Sequence, residues 1–283
     1  MTADQLTVGS LCTGYGGLDL ALKAHFNTRV IWTSEIDKHA SRVVKARYRA
    51  PNLGDLKLID WATTPPPDIV TAGYPCQPFS SAGRRGGADD PRHIWPHIAE
   101  GVRALRPRLV VLENVAGHLT KGFGEVLGTL ASMGYDATWG CVRASDAGAP
   151  HRRTRLFVVA VPDTTRPDGG DAQLAPLATP PPPPPEPRER GGPSPWGKWE
   201  SAIRRWEGVM GRPAPRPVRH GMVSGPWVEW MMGLGEGWVT GAVDEPLDQL
   251  KILGNGVVPQ QAALALTHLL PIALTPSRQR ASA

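Results

Sequence analysis

Hydrophobic and polar positions follow two periods over the first 162 residues. Short, mostly apolar runs recur at residues 6–11, 30–33, 68–72, 109–112 and 156–161. Between them lie amphipathic stretches with helical spacing, such as residues 18–26 and 40–48. Buried strands that alternate with helices predict an α/β fold with a doubly wound, largely parallel sheet. Ligands bind such sheets at the carboxyl ends of the strands.

The pattern changes after Pro162. Ten prolines fall within residues 176–195, including the run 180–185, which predicts an extended polyproline segment or a disordered loop. Residues 196–219 combine tryptophans with arginines and predict a short helix followed by a basic tail. Regular structure resumes at residue 226 and includes a final apolar helix over 260–273. We therefore predict one domain made of residues 1–162 and 226–283, with residues 163–225 as a proline-rich linker and a small segment.

Composition narrows the class of protein. The 32 Gly and 30 Pro of 283 residues raise the question of low complexity, but 41% hydrophobic residues indicate that most of the chain folds. The net charge of +5 is compatible with a polyanionic partner without establishing one. Three cysteines without a C-x-x-C pair indicate neither a disulfide framework nor a zinc site. We find no signal peptide and no apolar run of ~20 residues, and expect a cytoplasmic protein without a membrane contact.

The first candidate motif is the glycine-rich turn within residues 10–22. Gly14 and Gly17 allow the backbone to approach a ligand closely, and the following helix offers free N–H groups. Glu35 ends the next predicted strand, where a carboxylate commonly accepts hydrogen bonds from ribose hydroxyls. These residues indicate an adenosine-containing cofactor. NAD, flavin and S-adenosylmethionine stay open at this point, as does a purely structural turn.

The second motif presents Cys76 between Pro75 and Pro78, directly after a predicted strand. Most such cysteines are buried and structural, but a proline-flanked loop at the carboxyl edge of a sheet suits a nucleophile. Residues 80–87 follow with small and cationic side chains, which suit closure over an anionic substrate.

Three further segments carry polar groups. Glu113 and Asn114 end an apolar strand, and because an unpaired buried charge is costly, a carboxylate there favours a functional role. Residues 151–155 carry three arginines, which on their own fit a surface patch equally well. Residues 253–259 predict a tight turn before the last helix.

Taken in order, these segments resemble the DNA (cytosine-5)-methyltransferase family. The glycine turn is similar to its cofactor motif, Pro75-Cys76-Gln77 to its nucleophile motif and Glu113-Asn114-Val115 to its E-N-V motif. Residues 151–155 are similar to Q-R-R-x-R, and residues 253–257 to G-N-S-V. The resemblance implies the fold of S-adenosylmethionine-dependent methyltransferases, and it implies that residues 163–225 hold the target recognition segment.

The chain departs from the family pattern at five positions. These are Ser10 in place of an acid, Cys12 in place of Phe, Ile36 at an often aromatic position, His151 in place of Gln and Gly256 in place of Ser. The first three could weaken cofactor packing. None removes a group that the chemistry requires.

The resemblance implies a covalent mechanism on a cytosine flipped out of double-stranded DNA. Cys76 would add to C6, and Glu113 would bind N3 and the exocyclic amine. Arg155 would contact O2, while Arg153 would help to hold the Cys76 loop and the DNA backbone. The methyl group would come from S-adenosylmethionine, leaving S-adenosylhomocysteine, and no metal is expected.

The resemblance also assigns residues to binding. Nine are carried over to the cofactor: Cys12, Gly14, Gly17, Glu35, Ile36, Asp55, Pro75, Asn255 and Gly256. Five are candidates for DNA contacts near the target base: Gln77, Ser80, Arg84, Arg85 and Arg92. Arg204, Arg205 and Arg212 are candidates for salt-dependent phosphate contacts, although a small-domain core with a solvated basic face explains that region equally well.

Alternative functions follow from the same residues. A tRNA-methylating branch shares these motifs, although a separate recognition segment favours DNA. A DNA-binding regulator with an inactive site is disfavoured by Cys76, Glu113 and Arg155. An oxidoreductase leaves the second and third motifs unexplained. We expect a monomer with no obligate protein partner, associated with DNA. The target sequence, an accompanying endonuclease and a phage or cellular origin stay open.

Overall fold

The computed structural model describes residues 5–75, 94–163, 174 and 195–275. The strands of its main sheet are β1 (Leu6–Leu11), β2 (Thr28–Ser34), β3 (Ile69–Gly73), β4 (Leu109–Val115), β5 (Tyr135–Arg143) and β6 (Thr154–Pro162), and a short hairpin consists of β7 (Val218–Arg219) and β8 (Met222–Val223). The helices are α1 (Gly17–Leu22), α2 (Lys38–Arg47), α3 (Trp95–Leu105), α4 (Phe123–Ser132), α5 (Glu200–Met210), α6 (Gly225–Met231), α7 (Pro246–Asn255) and α8 (Pro259–Leu274).

The main sheet has the order β2-β1-β3-β4-β6-β5. The pairings from β2 to β4 are parallel, whereas β6 is antiparallel to both of its neighbours. The predicted doubly wound, largely parallel sheet is therefore confirmed. Each of the five apolar runs of the sequence overlaps one strand of this sheet. A strand that is covered on both faces is mostly apolar, because side chains on both faces are buried.

The edge strand β5 was not predicted. Its side chains alternate between partly buried and exposed positions, and Trp139 is 46% exposed. An edge strand with this alternation lacks the unbroken apolar run that marks a central strand.

Two apolar layers cover the sheet. Val110 and Leu112 of β4 point to the cluster that holds α3 and α4, whereas Leu109 and Val111 point to the cluster that holds α1 and α8. The alternation follows from the two-residue period of a strand. The core therefore fixes both faces of the strand that carries Glu113.

The residues of α8 account for most of the apolar C-terminal stretch. Residues 246–274, which span α7 and α8, are long and apolar enough by composition to cross a membrane. However, 61% of the 18-residue apolar stretch within them is buried inside the protein. Residues 256–258 separate the two helices. Burial against the sheet explains this composition.

A third cluster joins α5 to the elements around it. Trp206 of α5 is fully buried, and its indole Nε1 donates to the carbonyl of Trp230 in α6 at 2.8 Å. Leu253 of α7 and Val43 of α2 lie in the same cluster. α5 therefore shares a core with α2, α6 and α7, and the domain boundary predicted at residue 226 stays a prediction.

Candidate active site

A cavity of about 560 Å³ opens at the carboxyl ends of β1, β2 and β3. Its volume suits a ligand the size of a nucleoside cofactor. All nine residues predicted for the cofactor line it: Cys12, Gly14, Gly17, Glu35, Ile36, Asp55, Pro75, Asn255 and Gly256. The fold thus brings together five separate segments of the sequence.

Glu35 is fixed at the end of β2 beside the glycine turn. One carboxylate oxygen accepts from the Gly14 amide at 2.7 Å, and the other accepts from the Asp37 amide at 2.8 Å. Gly14 and Gly16 have φ angles of 58° and 83°, the left-handed region that glycine adopts without strain. Burial raises the pKa of Glu35, and the two amides offset part of that shift. A carboxylate held in this way can accept hydrogen bonds from ribose hydroxyls at the cavity wall.

Cys12 lies in the same turn, and its thiol has the properties of a buried structural cysteine. Burial, with the nearby charges of Glu35 and Asp55, raises the pKa of its thiol to about 12. A thiol with this pKa stays protonated near neutral pH and is a poor nucleophile.

Arg153 holds the turn that closes the cavity from the C-terminal side. Its guanidinium donates to the carbonyls of Gly254 at 2.7 Å and Gly256 at 2.8 Å. The hydroxyl of Tyr15 donates to the next carbonyl, that of Val257, at 2.8 Å. The role of Arg153 at the Cys76 loop and the DNA backbone stays a prediction, because Cys76 lies outside the described residues.

The buried Glu113 forms an ion pair with the partly buried Arg155, at 2.8 Å between Oε1 and Nε. Both lie at the same edge of the sheet, because β6 runs antiparallel to β4. Burial raises the pKa of Glu113 to about 7, although the Arg155 and Arg153 charges act in the opposite direction. A carboxyl with this pKa exists in both protonation states near neutral pH, and can donate or accept a hydrogen bond.

The ion pair lies next to the cavity. A Cβ atom added to Gly73, which lines the cavity, would stand 3.5 Å from Oε2 of Glu113. Because Gly73 has no side chain, a ligand in the cavity can approach Glu113 at this point.

Asn114 holds the backbone that leads into the Cys76 loop. Its side-chain amide donates to the Tyr74 carbonyl at 3.2 Å, and its own oxygen accepts from the Val115 amide. The Tyr74 hydroxyl contacts His118 Nε2 at 3.0 Å, and His118 Nδ1 contacts the Lys121 carbonyl at 2.8 Å. Tyr74 and His118 were not predicted, and only their nearness to the second and third motifs could have drawn attention to them.

Six predicted residues lie outside the described part of the chain: Cys76, Gln77, Ser80, Arg84, Arg85 and Arg92. Their roles stay predictions. Within the described ranges, no group of three or more His, Cys, Asp or Glu side chains could hold a metal ion.

The arginines predicted for phosphate contacts lie away from the cavity. Arg204 forms ion pairs with Glu200 at 2.6 Å and Glu207 at 2.7 Å. Arg212 donates to the Leu234 carbonyl at 3.0 Å. Arg205 is half-buried on the same helix as Arg204. Contacts within the protein thus occupy two of the three guanidinium groups, and a role in binding DNA stays a prediction for all three.

His151, which replaces the usual Gln, connects two parts of the chain. Its Nε2 contacts the Met231 carbonyl at 3.0 Å, so the Nε2–H tautomer donates this hydrogen bond. Burial lowers the pKa of His151, which favours the neutral ring. The residue anchors the start of β6 to the end of α6.

The sequence profile of the C-5 cytosine-specific DNA methylase family matches residues 6–184. The Type II methyltransferase M.BsuFI of Bacillus subtilis is 32% identical over 184 residues, which cover 61% of this chain and 45% of that protein. The Type II methyltransferase M.NgoBI of Neisseria gonorrhoeae is 36% identical over 158 residues, which cover 54% and 50%. The chain spans about half the length of the curated relatives it matches.

Solved structures share the fold over nearly the whole chain. The Dnmt2 methyltransferase of S. pombe superposes with a TM-score of 0.64 at 17% identity and covers 94% of this chain and 99% of its own. The Entamoeba histolytica methyltransferase EhMeth gives a TM-score of 0.62 at 18% identity and covers 95% and 99%. At this identity the likeness concerns the fold.

Proposed function

Because the chain belongs to the C-5 cytosine-specific DNA methylase family, we propose that it transfers a methyl group from S-adenosylmethionine to C5 of a cytosine in double-stranded DNA. The observation that carries this proposal is the buried Glu113–Arg155 pair beside a cavity of cofactor size. The cavity supplies a place for the methyl donor, and the pair supplies polar groups for a cytosine ring.

The residues around the cavity fit the cofactor. Glu35 would accept the ribose hydroxyls, and Ile36, which is 72% exposed at the rim, would cover the adenine ring. Asp55 borders the same end and would accept the adenine amino group. When bound, S-adenosylmethionine supplies an electrophilic methyl group.

Cys76 would activate the cytosine ring. Its thiolate adds to C6, and the electron pair of the C5–C6 double bond becomes available at C5, which is otherwise a weak nucleophile. After C5 is methylated, a base removes the C5 proton. The electron pair of that C–H bond restores the double bond and expels the Cys76 thiolate.

Glu113 would stabilise the ring while Cys76 attacks. A protonated carboxyl can donate to N3, where electron density builds up, and its other oxygen can accept from the exocyclic amine. Arg155 would contact the O2 carbonyl of the base, and its ion pair with Glu113 would keep the guanidinium oriented. Asn114 would act indirectly, since it holds the carbonyl two residues before Cys76.

A base stacked in a duplex cannot reach a buried carboxyl, so the cytosine would have to be flipped out. This costs a few kcal/mol, which contacts to the flanking DNA would offset. The region from residue 163 to 225, including α5, is the candidate for target recognition, and residues 77–92 are candidates for contacts to the opened site.

A nucleoside assay tests the proposal. The protein is incubated with double-stranded DNA and S-adenosylmethionine labelled in the methyl group, and the DNA is digested to nucleosides. We expect label in 5-methylcytosine. Label confined to an exocyclic amino group would refute the proposal. Cys76→Ser should abolish transfer and retain cofactor binding, and a variant that still methylates would remove Cys76 from the mechanism.

Two further experiments separate the alternatives. RNA offered in competition tests the tRNA-methylating branch, which predicts preferential labelling of RNA. A covalent complex trapped with 5-fluorocytosine DNA would distinguish a catalyst from a DNA-binding regulator, because only a catalyst adds Cys76 to the ring. Bisulfite sequencing of DNA from expressing cells then gives the recognised sequence.

A further inference from the structure

Asp19 is a buried carboxylate in the wall of the cofactor cavity. It lies in the first turn of α1, is 2% exposed and borders the cavity. A buried carboxylate is costly unless a positive charge or hydrogen bonds stabilise it.

Two hydroxyls from neighbouring strands hold this carboxylate. Ser10 Oγ donates to Oδ2 at 2.8 Å, and Thr71 Oγ1 donates to Oδ1 at 2.7 Å. Ser10 on β1 and Thr71 on β3 are paired in register, so Asp19 lies above these two neighbouring strands. Ser10 lies at a position where the resemblance leads us to expect an acid. Because its hydroxyl is neutral, it does not repel the carboxylate of Asp19.

The carboxylate of Asp19 forms no ion pair within the part of the chain that the structure describes. Among the residues that the structure describes, no ammonium or guanidinium forms an ion pair with it. Burial raises the pKa of Asp19, while the two hydroxyls and the more distant Lys23 oppose the shift. A cation that enters the cavity would supply the missing charge.

The strand order places Asp19 between the two ends of the candidate site. Glu35 follows β2 on one side, and Glu113 lies on β4 on the other. Thr71 precedes Gly73 by two residues, and Gly73 is paired in register with Glu113. A methyl donor that extends from Glu35 toward Glu113 therefore passes over Asp19.

We propose that the Asp19 carboxylate is the counter-charge for the sulfonium of S-adenosylmethionine, so that the cavity prefers the charged methyl donor to the neutral thioether product. This inference rests on the proposed function. Donor and product differ by one methyl group and one positive charge, both at sulfur. Across several ångströms of a water-poor cavity, a single carboxylate changes the binding of a cation much more than that of a neutral group.

Calorimetric titration of the full chain with S-adenosylmethionine and S-adenosylhomocysteine tests the inference. Asp19→Asn keeps the size of the side chain and most of its hydrogen bonding but removes the charge. We expect about a tenfold loss of affinity for S-adenosylmethionine, with little change for S-adenosylhomocysteine. Asp146→Asn removes an exposed carboxylate that does not border the cavity, and should leave both affinities unchanged.

Unchanged affinities in Asp19→Asn, or equal losses for both ligands, would overturn the inference and leave a purely structural role. Should Asp19→Asn fail to fold, the wild-type protein still decides the matter through sinefungin, in which an amine-bearing carbon replaces the methylated sulfur. Wild-type protein should bind sinefungin and S-adenosylmethionine more tightly than S-adenosylhomocysteine, and equal affinity for all three would overturn the inference. Wild-type protein that binds none of them would refute the proposed function instead.

Discussion

The ring of Tyr15 occupies the space that a side chain at residue 256 would need. A Cβ atom added to Gly256 would stand 1.8 Å from Cε1 of Tyr15, far inside van der Waals contact. Tyr15 is 1% exposed and is tied to the Val257 carbonyl, so its ring has little room to move. The Gly256 that departs from the family pattern therefore has a physical reason in this chain.

Gly256→Ser should destabilise the fold by about 1–3 kcal/mol, as expected for overpacking. Urea unfolding measures the change. The matched experiment combines it with Tyr15→Leu, which empties the space of the ring. The double variant should lose less stability than the sum of the two single variants, and simple additivity would contradict the proposed clash.

Arg153→Ala should weaken S-adenosylmethionine binding by roughly tenfold, because the turn at residues 254–256 loses two charge-assisted hydrogen bonds. Calorimetry measures the affinity. The neighbouring Arg152 is exposed, so Arg152→Ala serves as the control and should bind as the wild-type protein does. Equal losses in the two variants would indicate a general effect of charge.

The rate of methyl transfer should fall as the pH rises through about 7, since the pKa of Glu113 is about 7 and the donor to N3 is the protonated form. The ionisation of a thiol acts in the opposite direction, so the full profile should be bell-shaped. Single-turnover rates across pH 5.5 to 9 measure it.

Glu113→Gln keeps a neutral donor without titrating. This variant should be slower by about two orders of magnitude and should lack the limb near pH 7. A limb that persists in Glu113→Gln would assign the titration to another group.

Trp206→Ala should destabilise the whole domain by about 3–5 kcal/mol, because the side chain is fully buried in the third cluster. Trp199, 58% exposed, provides the control, and Trp199→Ala should cost little. Unfolding followed by circular dichroism and by tryptophan fluorescence should give one coincident transition. Separate transitions would instead support the predicted domain boundary at residue 226.

Arg205→Gln should lower the salt dependence of DNA binding by about one counterion, if this residue contacts a phosphate. Arg204→Gln should change it less, since Glu200 and Glu207 already engage that guanidinium. Binding measured at several salt concentrations gives both slopes. A larger change for Arg204 would indicate that its ion pairs open on DNA.

The sequence predicted those features that depend on local pattern. The sequence predicts β1 at its observed bounds, because a strand covered on both faces is mostly apolar along its length. β5 was missed because its apolar side chains alternate with others at the sheet edge. The cofactor residues were found by resemblance, and the fold brings them to one cavity.

Contacts between distant residues were beyond prediction. Arg153 and Gly254 are 101 residues apart, and no local period links them. The same holds for Tyr74 and His118, which are 44 residues apart and meet because β3 and β4 are neighbours. The role of Ser10 became clear only when Asp19 was found beside it.

The antiparallel direction of β6 has a consequence for how the chain continues. Its first residues lie with Glu113, so its last residue, Pro162, leaves the sheet at the opposite end, roughly 30 Å away for a nine-residue strand. α5 nevertheless belongs to the same apolar cluster as Tyr15, which lines the cavity. Residues 163–195 therefore join two parts of the chain that lie about one strand length apart. Leu174 is buried in the cluster of α1 and α8. If a deletion left fewer than about ten residues between these two parts, the remaining chain would be too short to span that distance, whatever its sequence.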